Sequence, residues 1–216
     1  MYEAIEKALT ALKAGIPVRP LSVAPYATLN ITGTRVDLNA MDLGDYTVST
    51  LQIKAPLGII HAQLLVITPL RRDAPACLCA FLHSPGKDTV HMEALNTLLS
   101  PDSFEDLVRV RAAHTRPADH VSTMDWYEAI KLPGCICRDL KPNDKETLSL
   151  FADWMAAYTA HMRSAPACDE NTKTAHARAV VDTHMLADGD MIRQLYNMMG
   201  EERARGLFRK AFFPKD

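Results

Sequence analysis

The feature that most constrains the fold is a series of short alternating segments in the middle of the chain. From residue 27 to about 99 the pattern is typical of strands, with apolar or β-branched residues at every second position and turn formers between the segments. Ser84-Pro-Gly-Lys-Asp88 is typical of a hairpin connection. Because connections this short join antiparallel neighbours, we expect an antiparallel sheet. The predicted strands lie at about 46–53, 59–68, 76–83, 89–96 and 134–139.

Helical periodicity is found on both sides of this strand-rich region. Ile5, Leu9 and Leu12 recur at helical spacing, and Asn143-x-x-Glu146 is a capping box that opens a long helix. Strands in the middle with helices at both ends predict an α+β fold, a three-layer α/β/α sandwich in which residues 1–216 form a single domain. The predicted helices are 2–13, 103–111, 146–163, 175–187, 190–199 and 201–212.

Charge and cysteine content narrow the class of protein. The net charge of −2 gives no general attraction to nucleic acid or to an anionic membrane, so we expect neither as a partner. The polar start does not have the pattern of a signal peptide, and the longest apolar stretch, 64–69, is too short to span a bilayer. The cysteine count of five is odd and indicates reduced thiols. We therefore expect a cytoplasmic protein.

Two kinds of cofactor site can be weighed from the motifs. The sequence has no glycine-rich phosphate loop, which disfavours NAD, FAD and ATP. It has two Cys-x-Cys pairs, Cys77/Cys79 and Cys135/Cys137, and four sulfurs on neighbouring strands could hold zinc or an iron–sulfur cluster. Cysteine is also commonly buried as a small apolar residue. We expect that alternative, and therefore no metal.

Histidines offer candidate proton carriers. His91 and Glu93 are two residues apart on a predicted strand, so their side chains project from the same face. His83 lies at the end of the preceding strand. Hydrogen-bonded or solvated surface positions are the plain alternative for all three.

A strand, a turn and a long helix follow one another in the second half of the chain. Lys131-Leu-Pro-Gly-Cys-Ile-Cys-Arg138 ends the last predicted strand, and Lys141-Pro142 leads into the 146–163 helix. Asp190-x-x-Arg193 then opens a helix that runs to Gly200-Glu201, with phenylalanines at 208, 212 and 213. Together with the hairpin at 77–95, this ordered set resembles the ferredoxin-dependent bilin reductases over residues 46–214.

The resemblance implies the same three-layer sandwich that the periodicity predicts. It also implies a reductase of linear tetrapyrroles (bilins) that has no bound cofactor, receives single electrons from ferredoxin or flavodoxin, and supplies the protons itself. The expected partners are a bilin and an acidic electron-transfer protein. A bilin is large and carries propionates, so it needs a wide pocket, basic groups and well-placed acids.

The acids that the resemblance implies match this sequence unevenly. The acid that opens the C-terminal helix corresponds best to Asp190, with Asp188 as the rival. The acid of the central strand falls on Ala80 or Phe81, and a histidine used by some members falls near Leu64. Those two groups are thus missing or relocated.

Substitutes are available nearby. His83 should share a face with Phe81, and we expect His91 and Glu93 to approach it across the hairpin. The predicted catalytic residues are Asp190, His83, His91 and Glu93, and the predicted ligand contacts are Arg138, Arg193, Phe81 and Asp188. A helix cap for Asp190 and surface ion pairs for the arginines are the alternatives.

The electron donor needs a docking surface. Ferredoxins are acidic, so a basic rim is expected, and a solvated helix face is the alternative. The candidates for the rim are Arg203, Arg205, Arg209 and Lys210.

Three functions remain open from the sequence. The first is a divergent bilin reductase. The second is a protein of the same fold that binds a tetrapyrrole or a similar apolar carboxylate without chemistry. The third is a metal or cluster protein built on the Cys-x-Cys pairs.

Overall fold

The structure, a computed structural model, describes residues 2–56, 61–114, 130–140, 145–186 and 190–216. The described strands are β1 (Arg19–Leu21), β2 (Thr28–Ile31), β3 (Thr34–Asp42), β4 (Tyr46–Lys54), β5 (His61–Pro69), β6 (Ala76–Ser84), β7 (Lys87–Leu95) and β8 (Ile136–Leu140). The described helices are α1 (Tyr2–Lys13), α2 (Glu105–Ala113), α3 (Lys145–Ser164), α4 (Glu170–Leu186), α5 (Asp190–Met199) and α6 (Glu201–Phe212).

The strands form one antiparallel sheet in the order β1-β3-β4-β5-β6-β7-β8, with β2 paired to β3. From β3 to β7 each strand pairs with its neighbour in sequence, as the short connections predict. The five predicted strands are confirmed, with bounds that differ by no more than two residues. No bounds were predicted for β1, β2 or β3. In β3 the charged residues Arg35 and Asp37 alternate with buried Val36 and Leu38, which is the pattern of a strand with one covered face.

One face of the sheet packs against α1, α2 and α3, and we call it the α3 face. Phe81, Val90 and Met92 point to this side and belong to its core. Two buried donors on α3 attach the helix to the sheet: Trp154 Nε1 donates to the Gly134 carbonyl at 2.9 Å, and the Tyr158 hydroxyl donates to the Pro75 carbonyl at 2.8 Å. Both polar atoms thereby keep a partner inside an apolar layer.

The opposite face packs against α4, α5 and α6, and we call it the C-terminal face. Leu64, Leu78 and Ala80 point to this side, and Phe208 and Phe212 of α6 cover them as part of the same core. Because successive residues of a strand point to opposite faces, a single strand supplies both cores. The three-layer sandwich is therefore confirmed.

A buried ion pair fastens α4 to the loops at the end of the sheet. Lys173 has no exposed surface, and its ammonium group lies 3.1 Å from Asp73 Oδ1 and also donates to the Thr97 carbonyl. Asp73 accepts from the backbone N–H groups of Leu99 and Ser100. Burial tends to raise the pKa of Asp73, but these donors and Lys173 outweigh it and hold the pKa below its usual value.

Removing one member of this pair should be costly. We expect Asp73→Ala to lower the free energy of unfolding by about 3 kcal/mol, because it leaves a buried ammonium without its counter-charge. In the exposed Arg35–Asp37 pair, Asp37→Ala should cost about 1 kcal/mol or less. Urea denaturation measures both, and Asp73→Ala with Lys173→Met should recover part of the loss. Equal losses in the two single variants would contradict the structural role of the pair.

Candidate functional site

The C-terminal face changes from apolar to polar where β6 meets β7. One row of direct cross-strand neighbours runs Leu64, Ala80, His91, Cys137 on β5, β6, β7 and β8. On the same face, the neighbouring row places Glu93 of β7 opposite Leu78 of β6. The β5 and β6 residues of these rows thus belong to the core under α6, whereas the β7 and β8 residues are ionisable.

His91 lies between a thiol and a carboxylate. Its Nε2 is 3.7 Å from Cys137 Sγ, and its Nδ1 is 3.5 Å from Glu93 Oε1. Lys131, which pairs with Leu95 through an isolated bridge, places its ammonium 3.5 Å from the same Glu93 oxygen. We call these four residues the His91 cluster. They come from β7, β8 and the segment before β8, and the sheet register holds them together.

The His91 cluster is partly shielded from water. The Glu93 side chain is 1% exposed, that of Lys131 is 10% exposed, and that of His91 is 33% exposed. A buried carboxylate needs compensating positive charge, and here Lys131 and a protonated His91 supply it. The partial exposure of His91 leaves its ring accessible from the C-terminal face.

These neighbours keep the His91 ring protonated. Burial alone lowers the pKa of His91, but the hydrogen bond to Cys137 and the interaction with Glu93 outweigh burial and raise the pKa to about 10. The ordinary value is 6.5. The protonated ring therefore contributes to stability below about pH 6.5, and this contribution is lost as the pH rises through 10.

The arrangement can carry out two kinds of chemistry. A protonated imidazole that faces a ligand site can donate a proton at neutral pH. A thiol beside an imidazole that a carboxylate holds in place has the geometry of an activated nucleophile. Glu93 orients the ring in both cases.

One comparison relates the fold of the chain to that of a solved structure. The chain is similar to the crystal structure of phytochromobilin synthase from tomato in complex with biliverdin, with a TM-score of 0.81 and 14% sequence identity. The match covers 98% of this chain and 82% of that chain. The chain has the fold of the ferredoxin-dependent bilin reductases. No family model matches the sequence, and the search of the curated proteins finds no match.

The two candidate positions for the central acid, Ala80 and Phe81, lie on opposite faces of the sheet. Ala80 points to the C-terminal face, whereas Phe81 points to the α3 face and packs edge-on against Phe151, with ring centroids 4.9 Å apart. Leu64 lies directly beside Ala80. Of the two candidate positions, Ala80 thus lies beside Leu64 in the row that His91 and Cys137 continue across the sheet, and Phe81 does not.

The expectation that His91 and Glu93 approach His83 is wrong. His83 is two residues after Phe81 and shares the α3 face with it, whereas His91 is the partner of Ala80 on the other face. His83 instead lies opposite Asp88, with its Nδ1 2.6 Å from the Asp88 carboxylate. The sheet therefore separates His83 from the His91 cluster.

Two predicted ligand contacts also lie on the α3 face. Arg138 pairs with Val90, which belongs to the α3-face core, and Arg138 is only 2% exposed. It therefore points away from the C-terminal helices. Phe81 is buried in the same core. The prediction that these two residues line a pocket under the C-terminal helices is wrong, because odd and even positions of a strand face opposite ways.

Three of the predicted site residues lie at or near the start of α5. Helix α5 begins at Asp190, as predicted, and Leu195 fixes it to the C-terminal core. The side chains of Asp190 and Arg193 are not described, and Asp188 lies outside the described residues. The roles of all three remain predictions.

The cysteines do not combine into one metal site. Cys77 and Cys79 face α3, where their sulfurs lie 3.6 Å apart and Cys79 contacts Met155, whereas Cys137 is on the C-terminal face. Within the described part of the chain, no group of three or more His, Cys, Asp or Glu side chains is arranged to hold a metal ion.

None of the described helices is long and apolar enough to cross a membrane.

The predicted basic rim on α6 is partly neutralised. Arg205 pairs with Glu201 and lies over the Tyr196 ring, and Arg209 Nε is 2.9 Å from Asp182. These pairs favour the solvated-helix alternative for the two arginines.

A titration tests the pKa of His91. Histidine NMR signals should show His91 protonated through neutral pH, with a midpoint near 10. Cys137→Ala should lower that midpoint, because it removes the group that stabilises the protonated ring at Nε2. Cys168→Ala, a change in a loop, should leave it unchanged. A midpoint near neutral pH in the parent protein would show that Cys137 and Glu93 do not hold the proton.

Proposed function

We propose that this protein reduces a linear tetrapyrrole, with single electrons from ferredoxin or flavodoxin and with protons from its own side chains. The observation that carries the proposal is the His91 cluster. It places an imidazole that remains protonated at neutral pH beside Ala80, on the sheet face under the C-terminal helices of a bilin-reductase fold.

The position of the ligand follows from the division of the C-terminal face. Over β3 to β6 the core under α6 fills the space, so a flat ligand is expected over β7 and β8, where polar side chains replace apolar ones. The similar tomato protein was crystallised with biliverdin, and we infer a bilin here. Arg193 on α5 remains the candidate for a propionate contact, since guanidinium binds carboxylate in a bidentate way. Arg138 is excluded from this role by its position on the α3 face.

The proton step follows from the charge of His91. A bilin that has accepted one electron is more basic than the neutral ligand, and it becomes neutral again by taking a proton. An imidazole with a pKa of about 10 keeps its proton in water at neutral pH but can pass it to such a base. Because the His91 side chain is one-third exposed, water can return the proton between electrons. Asp190 is the proposed second donor.

Two histidines form a matched pair of variants. His91→Gln should retain biliverdin binding and slow the reduction of bound biliverdin by reduced ferredoxin about 100-fold, the usual scale for loss of a general acid. His83→Gln changes the same side chain on the opposite face and should allow reduction at close to the parent rate. Visible spectra give binding and reduction in one cuvette.

The outcomes separate the candidate functions. Equal activity of His91→Gln and the parent protein would remove His91 from the mechanism. A parent protein that binds biliverdin but does not change it when electrons are supplied favours the carrier. One observation supports this second function: the implied acid falls on Ala80 or Phe81, neither of which can donate a proton, and the implied histidine falls near Leu64.

A further inference from the structure

We propose that Cys137 is a nucleophilic cysteine that forms a thioether with a conjugated alkene of the ligand, with His91 as its proton partner and Glu93 as a positioning residue. The inference rests on the proposed function for the identity of the ligand. The reactivity of the thiol itself does not depend on it.

The geometry has the three members that an activated nucleophile requires. Cys137 and His91 are direct cross-strand partners, so both side chains leave the sheet on the same face at adjacent positions. Sγ lies 3.7 Å from Nε2, and Nδ1 on the far side of the ring lies 3.5 Å from Glu93. The nucleophile, the proton donor and the group that orients the donor are thus in sequence, on rigid strands rather than loops.

The other cysteines lie in surroundings that suppress reactivity. Cys77 and Cys79 are completely buried in the α3-face core, and burial raises the pKa of Cys77 well above its usual value. Burial and the Glu93 charge raise the pKa of Cys135 to about 12. Cys168 is partly exposed and its pKa is raised, mainly by burial. Cys137 is partly exposed and has the His91 imidazole against its sulfur, with Sγ 3.7 Å from Nε2.

The position of Cys137 selects the reaction. A nucleophile of acyl transfer usually lies at a turn whose backbone N–H groups bind the oxyanion, whereas Cys137 lies inside β8 and its neighbours pair with β7. Addition to an alkene instead needs one proton, which His91 holds. The Sγ–H bond breaks as its proton passes to water, the Sγ–C bond forms as the C=C π bond breaks, and the proton of His91 moves to the adjacent carbon. Water then returns a proton to His91. The net change is addition of S–H across the double bond, so no electron donor or acceptor is required.

Labelling with N-ethylmaleimide, itself a conjugated alkene, tests the nucleophile. At pH 6.5 and limiting reagent, peptide mapping by mass spectrometry should find Cys137 modified about 10- to 100-fold faster than Cys168. Cys137 has a protonated imidazole against its sulfur, whereas burial raises the pKa of Cys168, and a thiol of ordinary pKa is already only about 1% thiolate at this pH. His91→Gln should remove most of this difference, and Glu93→Gln should reduce it. His83→Gln should not change it. Circular dichroism and thermal melting confirm that each variant is folded.

A second measurement tests the bond to the ligand. After incubation with biliverdin and reduced ferredoxin, then denaturation, pigment should remain attached to the parent protein and should be released from Cys137→Ser. Complete release from the parent overturns the thioether. Labelling of Cys137 at the rate of Cys168 overturns the nucleophile, even if biliverdin is reduced, in which case the proposed function stands. If Cys137 is labelled rapidly in a manner that depends on His91 but biliverdin is not reduced, the nucleophile is confirmed. The proposed function is then wrong.

Discussion

The hydrogen-bond register assigns the side chains of β4, β5 and β6 to one of two covered faces, and the rest of the molecule depends on that assignment. In a sheet with one solvated face, a slip of one residue would exchange core for surface. Here both faces of these strands are covered, so each of the three supplies apolar groups to two different cores. β6 does so by alternation: Cys77, Cys79 and Phe81 go to α3, and Leu78 and Ala80 go to the C-terminal helices.

The same alternation decides where chemistry can occur. Helix α6 covers β5 and β6 on the C-terminal face, so the side chains there are buried and apolar, as at Leu64 and Ala80. One strand further, the apolar pattern stops on the C-terminal face but continues on the α3 face, where Val90 and Met92 remain buried. β7 is therefore apolar on one side and ionisable on the other. A ligand that needs both a platform and a proton source would find them along this boundary.

The sequence predicted the sandwich well because local patterns decide it. Alternation and short turns predicted five strands, and helical spacing predicted the helices, although α4 begins at Glu170, five residues before the predicted start. Asn143 of the capping box lies outside the described residues. The site was predicted less well because it depends on register, which local patterns do not contain. His91 and Glu93 were found as a pair at i and i+2, a local relation. Their relation to His83 was predicted wrongly, because it requires knowing that Ser84 pairs with Lys87 across the turn. That pairing sets His83 opposite Asp88 rather than beside His91.

The contact between Cys137 and His91 also depends on strand register and could not be predicted from local patterns. In the sequence Cys137 is one half of a Cys-x-Cys pair, and that spacing directed attention to metals. Only the antiparallel pairing of β7 and β8 brings it to His91, 46 positions earlier in the chain. A local motif search has no signal for such a contact. The signal that was available is the charge pattern of β7, where a histidine and a glutamate interrupt the face that Leu95 continues as core.

The energetics of the His91 cluster bear on the choice between enzyme and carrier. A carrier of an apolar ligand is served by apolar walls, whereas burying Glu93 to 1% exposure carries a desolvation cost that the charges of Lys131 and His91 have to offset. Apolar residues at these positions would extend the core of β5 and β6 across the sheet, and such replacements of buried ion pairs are often neutral or stabilising. Stability alone therefore does not account for an ionisable cluster here. What the cluster provides is a protonated imidazole with a fixed orientation beside an accessible thiol, a combination that matters for a reacting ligand and adds little for one that is only held.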